Sequence, residues 1–349
     1  MAAAAAAHPL WTPSAERVER AAITRFGRWV AEAHGADVAD SYDALWRWSV
    51  ADIETFWASI WSYFAVDSDA PYERVVGART MPGTEWFPGP RLSFPEHVFR
   101  GKDASALALQ HDSELRGLAA WTWGELREQS ERIAAGLRRL GVGEGDRVVA
   151  YLPNVPEAVA AFLATASLGA IWSSCSPDFG ARSVVDRFAQ IEPKVMLTVD
   201  GYRYGGRDHD RCEVVTGIVR ELPSLEHVVS LPYLGCGRVA GTLAWEELLA
   251  DHAPLDFARV PFDHPLWVLF SSGTTGLPKA IVHSHGGILL EHLKKMHFHL
   301  DAGEGDRVFW FTTTGWMMWN FLLGGLLAGA AIVLYDGQPD PERLWQFGA

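Results

Sequence analysis

The chain has 349 residues, a length that predicts two or three domains. Hydrophobic residues make up 48 %, ample for large cores, and a net charge of −13 argues against a broad surface for nucleic acid or an anionic membrane. Three cysteines, Cys175, Cys212 and Cys236, form no C-x-x-C pair, so neither a disulfide framework nor a zinc site is indicated, and a reduced cytosol is the expected setting.

The opening MAAAAAAHPLW has no basic n-region and no leucine-rich run, so it does not read as a signal peptide. Residues 8–65 read as helices. Ser14 is placed to cap the first of them. Trp46, Ile53, Phe56, Trp57, Ile60, Trp61 and Phe64 recur mostly at helical spacing, with Ser49 and Asp52 offering a cap between two short helices. Residues 66–105, dense in Pro and Gly around Met81–Pro90, read as an irregular connecting segment. From 106 onward strands and helices alternate. Thr122 and Glu125 fit a capping box, the helix after them carries Leu126, Ile133, Leu137 and Leu140 on one face, and Gly141 ends it. Strands at Arg147–Leu152, Ala170–Ser173 and Val195–Val199, with helices at Asn154–Leu168 and Ala181–Ile191 between them, imply a parallel sheet with covering helices. Then Arg203 and Arg207 flank a Gly-Gly pair, where they would either clamp a phosphate or decorate a solvated loop.

Residues Leu266–Phe270 form an apolar run that reads as a buried strand. It breaks into Ser271-Ser272-Gly273-Thr274-Thr275-Gly276-Leu277-Pro278-Lys279 and resumes at Ile281-Val282. Two glycines let successive N–H groups turn towards an anion, the hydroxyls add donors, and Lys279 adds a point charge. That inventory suits a polyphosphate. The competing Walker A pattern fails, because Pro278 precedes the lysine and Ala280 follows it, with no hydroxyl for magnesium. Pro278 and the β-branched pair also disfavour a following helix, so the expected form is strand–loop–strand. A helix over Ile288–His297 and a strand over Asp306–Phe311 come next, ending in Thr312-Thr313-Thr314-Gly315-Trp316. The apolar stretch Met317–Tyr335 is about as long as a bilayer span. It splits better into a helix (Trp319–Leu327), a Gly-containing turn and a strand (Ala331–Tyr335). The histidines at 209, 292, 297 and 299 suggest no metal set.

The run SSGTTGLPKA resembles the phosphate-loop signature of the adenylate-forming superfamily. The flanks, HPLWVLFSSGTTGLPKAIVHSHGGILLEHLKK and FWFTTTGWMMWNFLLGGLL, are similar to the acetoacetate type of acyl-coenzyme A synthetase, and the similarity extends from about Trp11 to the end of the chain. The resemblance implies an α/β fold, the large N-terminal domain of stacked mixed sheets with covering helices, truncated and preceded by a helical extension. The implied divisions are a helical extension at 1–65, a connecting segment at 66–105 and an incomplete AMP-binding domain at 106–349. A small C-terminal domain with a catalytic lysine, a magnesium-linked glutamate and adenine contacts would lie beyond Ala349, so the chain reads as a fragment whose own activity is in question.

The implied reaction joins acetoacetate to AMP at the expense of ATP, releasing pyrophosphate, and then passes the acyl group to coenzyme A. In that reading Lys279 and Thr275 are the catalytic candidates. Ser271, Ser272, Gly273, Thr274, Thr275, Gly276 and Lys279 bind the nucleotide phosphates, with magnesium expected beside them but no protein metal ligand assigned. Trp316, Thr314 and Gly315 line the acyl pocket, with a place in the core as the alternative for Trp316. Arg203 and Arg207 are coenzyme A contacts. His285 either orients the carboxylate or is a structural histidine. The partners are small molecules (ATP, acetoacetate and coenzyme A), with no nucleic acid and no membrane, in the cytoplasm; the sequence does not give the oligomeric state. Two alternatives stand beside this reading: activation of acetate or another short acid, and a non-catalytic nucleotide-binding module.

Overall fold

The structure, a computed structural model, describes residues 10–271 and 276–345. Its two main sheets follow from the alternation read in the sequence. One has seven strands in the spatial order Leu243–Ala244, His227–Leu231, Val195–Val199, Arg147–Tyr151, Ile171–Cys175, Pro265–Ser271 and Lys279–Ser284. All its neighbours run parallel except the last pair, which is antiparallel. The Val195–Val199 strand is buried at every position, as expected of a central parallel strand covered on both faces. The other sheet has four strands, in the order Arg307–Phe309, Ala331–Asp336, Leu107–Ser113 and Ala119–Thr122, with only the final pair antiparallel.

Helix termini lie where local chemistry puts them. Ser14 accepts a hydrogen bond from the Arg17 N–H at 3.2 Å and starts the helix Ala15–Arg20. Asp52 accepts from the Thr55 N–H at 3.0 Å and separates the helices Tyr42–Ala51 and Ile53–Tyr63. Thr122 and Glu125 form both halves of the capping box that opens the helix Trp123–Arg139. Midway along that helix a Cβ on Gly136 would overlap the Leu248 carbonyl oxygen, so only glycine lets the helix Trp245–Leu248 approach so closely.

The layers are joined by aromatic side chains. Phe162, on the buried helix Pro156–Ser167, meets Trp172 and Trp267 of the seven-stranded sheet and Trp319 of the helix Met317–Leu327. Trp319 stacks on Trp172, while its helix also packs on the strand Ala331–Asp336 of the other sheet. The N-terminal helices join the same buried cluster: Phe26 stacks on Phe298 at 4.5 Å, and Trp61 stacks on Phe87 at 4.9 Å.

One segment differs from the sequence reading, and the apolar stretch after Trp316 follows it. Within 66–105, Arg91–Leu92 pairs antiparallel with Val260–Pro261, and Phe94–Phe99 is helical. Pro95 sits in the first turn of that helix, where its missing N–H has no intrahelical partner to lose, so local proline density does not exclude a helix. The apolar stretch from 317 divides into the helix Met317–Leu327 and the strand Ala331–Asp336, with Gly329 at φ +81° between them. Among the described residues no helix is long and apolar enough to cross a membrane.

Candidate active site

The strands Pro265–Ser271 and Lys279–Ser284 form an antiparallel pair in which Ser271 lies opposite Lys279, closing the loop between them. The form is strand–loop–strand, as Pro278 and the Ile281-Val282 pair require. Ser272, Gly273, Thr274 and Thr275 lie outside the described residues. Gly276 has φ +143°, a conformation that disfavours any side chain. The Pro278 carbonyl accepts from Gln190 Nε2 at 2.9 Å, which ties the loop to the chain just beyond the helix Ala181–Phe188. No local sequence pattern marks Gln190 for this contact. Lys279 is exposed and makes no ion pair among the described residues. The strand it opens is not buried, contrary to expectation: it is the outer strand of the sheet, and Ile281 and Val282 are 42 % and 54 % exposed. An apolar pair signals a strand but not its neighbours, and here only one side is covered.

At the end of that strand, Ser284 accepts from the Gly287 N–H at 3.1 Å and caps the helix His285–Phe298. His285 is fully buried, and its Nδ1 accepts from the Phe94 N–H at 3.3 Å. Burial, with His264 nearby, pushes its pKa down to about 3, so it is a buried, neutral histidine. His283 accepts from Trp267 Nε1 at 3.0 Å, and burial lowers its pKa as well.

The second wall is the segment 312–316. Thr314 is buried and donates its hydroxyl to the Leu152 carbonyl at 2.6 Å; its own carbonyl accepts from Ser174 Oγ at 2.8 Å. A Cβ on Gly315 would stand 3.0 Å from Phe179 and 3.3 Å from the Ser176 nitrogen. Thr314 and Gly315 therefore dock the segment onto the ends of the strands Arg147–Tyr151 and Ile171–Cys175. Trp316 is 62 % exposed, which rules out the core alternative, and Trp310, Phe311 and Met317 are exposed with it. Asn154 anchors the same segment. Its Nδ2 donates to the carbonyls of Thr312 and Tyr335, both at 3.4 Å, and its Oδ1 accepts from Trp319 Nε1 at 3.0 Å. The carboxyl ends of three adjacent parallel strands thus carry the 312–316 segment and the start of the 271–279 loop. That is where open α/β sheets gather ligands.

Arg203 and Arg207 are not on an open loop. They lie on the hairpin strands Gly201–Tyr204 and Arg207–Asp210, joined by Gly205-Gly206 at φ +60° and +71°. A Gly-Gly pair between two short runs is the signal for such a turn, and it was available in the sequence. Arg203 is engaged bidentately by Asp208, with Nε–Oδ1 at 2.6 Å. The turn amides donate to Glu114 at 2.8 and 2.7 Å. Arg207 remains exposed. One grouping was not foreseen: Asp210, Cys212 and Cys236 bring their donor atoms within 4.8 Å of one another.

Near the hairpin, Tyr233 donates its hydroxyl to Asp336 at 2.9 Å. Burial pushes the Asp336 carboxyl up to about 7 against the pull of this hydrogen bond, with Glu114 and Asp178 adding to the rise and Arg116 opposing it. Below pH 4 both the folded and unfolded chains hold this proton. Between about pH 4 and 7 the unfolded chain gives it up first, so this group's contribution to stability is lost as pH rises. Asp336→Asn should therefore gain on the unsubstituted chain across that window, by about 4 kcal/mol at most, and stay level above it. Melting curves from pH 4 to 8 test this; a stability difference that does not change with pH would refute it.

Residues 94–347 match the family model described as AMP-binding enzyme, and residues 42–97 match that of the acetyl-coenzyme A synthetase N-terminus. The chain is 46 % identical over 354 residues to an acetoacetyl-coenzyme A synthetase of Rhizobium meliloti (strain 1021), covering 99 % of this chain and 54 % of that protein. A malonamoyl-CoA synthetase of Penicillium aethiopicum is 38 % identical over 318 residues, covering 86 % and 44 %. The solved structure of acetoacetyl-CoA synthetase from Streptomyces lividans superposes with a TM-score of 0.93 at 56 % identity, covering 96 % of this chain and 52 % of that one. The chain thus spans about half the length of the curated relatives it matches most fully.

Proposed function

This chain belongs to the AMP-binding enzyme family, and from that premise we propose that it serves acetoacetate–CoA ligation, as part of an ATP-dependent, AMP-forming acid–thiol ligase. A carboxylate oxygen attacks the α-phosphorus of ATP, the α–β anhydride bond breaks and pyrophosphate leaves. The sulfur of coenzyme A then attacks the acyl carbon, and AMP leaves. The first step gathers negative charge on phosphoryl oxygens, which positioned N–H groups, hydroxyls and a cation stabilise.

The observation that carries this reading is that the strand leading into the 271–279 loop and the docked 312–316 segment lie on neighbouring strand ends. In it, Ser271 to Gly276 cradle the phosphates, and Lys279 and Thr275 act on the α-phosphate and the leaving pyrophosphate. Trp316 forms a wall for the acyl group, while Thr314 and Gly315 hold that wall in place through their backbone and buried contacts. Coenzyme A contacts fall to the hairpin, with exposed Arg207 freer to meet a phosphate than Arg203, whose charge Asp208 already balances. Magnesium accompanies the nucleotide. Among the described residues the loop offers no carboxylate set to hold it, so no step is assigned to a protein-bound ion.

The domain limits proposed from the sequence, 1–65, 66–105 and 106–349, are kept as functional divisions, although the N-terminal helices share the main core. The free thiols fit a cytoplasmic setting, and the net charge of −13 fits small-molecule substrates better than nucleic acid.

The test is AMP release with ATP, magnesium, coenzyme A and a panel of acetoacetate, malonamate, acetate and butyrate, run on this chain and on a protein of the relatives' full length that contains it. Release highest with acetoacetate in the longer protein is expected. Release with none of the acids there would overturn the ligase reading. Preference for acetate or malonamate would select the second reading, another short acid, which the matches to the acetyl-coenzyme A synthetase N-terminus and the malonamoyl-CoA synthetase keep open.

A further inference from the structure

Three elements meet at the base of the Arg203 hairpin. The strand Arg207–Asp210 ends there, the helix Cys212–Arg220 begins two residues later, and the loop after the strand His227–Leu231 returns to the same point at Cys236. Asp200 organises the meeting. Its carboxylate, fully buried, accepts from the N–H groups of Tyr233, Leu234, Gly235 and Cys236 at 2.7 to 3.0 Å. Its carbonyl accepts from both thiols, Cys236 at 3.3 Å and Cys212 at 3.7 Å. Asp210 in turn accepts from the Cys212 N–H at 2.7 Å. Each of the three side chains is thus held by a backbone hydrogen bond, and two sulfurs and a carboxylate oxygen lie within 4.8 Å of one another. Asp210 and Cys236 are exposed, so the group is open to solvent.

We propose that Asp210, Cys212 and Cys236 form a binding site for a thiophilic divalent cation of the zinc type, unrelated to nucleotide chemistry. Two thiolates and one carboxylate are a normal protein donor set for tetrahedral zinc, with a water in the fourth position. Two sulfurs select against magnesium and calcium. On binding, each thiol releases its proton to solvent as its sulfur takes up the metal. Arg211, between two of the donors in the chain, is held by the Pro177 carbonyl, the Tyr202 hydroxyl and the Asp210 carbonyl, and not by the Asp210 carboxylate. A bound ion would lock hairpin, helix and loop together, fixing the platform that carries Arg203 and Arg207. Cysteine spacing hides the site, because Cys212 and Cys236 are 24 residues apart and meet only through the Asp200 loop.

The probe is Co²⁺ alone, titrated into the purified chain under a phosphine reductant so that no disulfide masks the thiols. The expected result is a sulfur-to-cobalt charge-transfer band with tetrahedral visible bands, saturating at about one ion per chain and bleached by Zn²⁺. Cys212→Ser and Cys236→Ser should each abolish the charge-transfer band or cut it at least by half, and Cys175→Ala should keep it, since Cys175 is fully buried and is not one of the three clustered donors. Asp210→Asn, a change at an exposed side chain that leaves both thiols in place, should weaken cobalt binding about tenfold or more. A silent chain, or a band undiminished in both serine variants, would overturn the proposal. Melting curves without metal show whether each variant is folded, and the Asp210→Asn titration decides the matter if a serine variant is not.

Discussion

Lys279→Ala is expected to lower acetoacetate-dependent pyrophosphate–ATP exchange by about 100- to 1,000-fold, the usual cost of removing one positioned donor from a charge-stabilising site. The expectation rests on place as well as type. Lys279 opens its strand directly opposite Ser271, so its Cα is fixed by the pairing that closes the loop. Its side chain is exposed and has no carboxylate to neutralise it among the described residues. For the same reason the substitution should leave stability within about 0.5 kcal/mol. The loss should fall on kcat more than on KM if the ammonium acts mainly on charge that develops in the transition state. Lys279→Arg should recover part of the rate, because charge is retained while the planar fork cannot reproduce a compact ammonium. The assay belongs on a protein of the relatives' full length containing this sequence. Exchange within about threefold of the unsubstituted protein, in a sample that melts normally, would remove Lys279 from the proposed cradle.

Asn154→Leu should cost about 2–4 kcal/mol of folding stability, a large effect for one uncharged polar side chain. The residue is 3 % exposed and joins four parts of the molecule at once: the end of the strand Arg147–Tyr151, the Thr312 carbonyl, the Tyr335 carbonyl of the second sheet and the Trp319 indole. Leucine keeps the approximate volume but leaves the Trp319 indole N–H without its partner in a buried place and removes the donor that links Thr312 to the second sheet. Denaturant unfolding with an unchanged m-value is the measurement, and a loss below about 1 kcal/mol would show that water replaces the amide. Trp316→Ala provides the contrast. It sits on the segment that Asn154 anchors but is exposed, so it should alter acid preference with little change in melting.

Much of this architecture can be read from local chemistry. Ser14, Asp52 and the Thr122–Glu125 pair mark helix starts because a cap needs only a side chain and the N–H two or three residues on. The refusal of a helix after Lys279 follows from Pro278 and two β-branched residues, again within a few positions. What sequence reading misses is set by contacts distant along the chain. Nothing near Gln190 announces that it reaches the Pro278 carbonyl, and nothing near Thr314 shows that its hydroxyl is spent on Leu152. Ile281 and Val282 read as interior because apolarity alone does not say which strand lies alongside. The burial of His285 is likewise decided by a partner far back in the sequence, at Phe94.

The outer position of the strand Lys279–Ser284 has a mechanical consequence. Its backbone is hydrogen-bonded to one neighbour only, whereas the strand beside it is held on both sides. Opening at this margin breaks one ladder, and the six parallel strands behind it need not move when it does. The lysine proposed to meet the polyphosphate thus rides on a marginal rib of the sheet, its side chain free to adjust around an incoming anion.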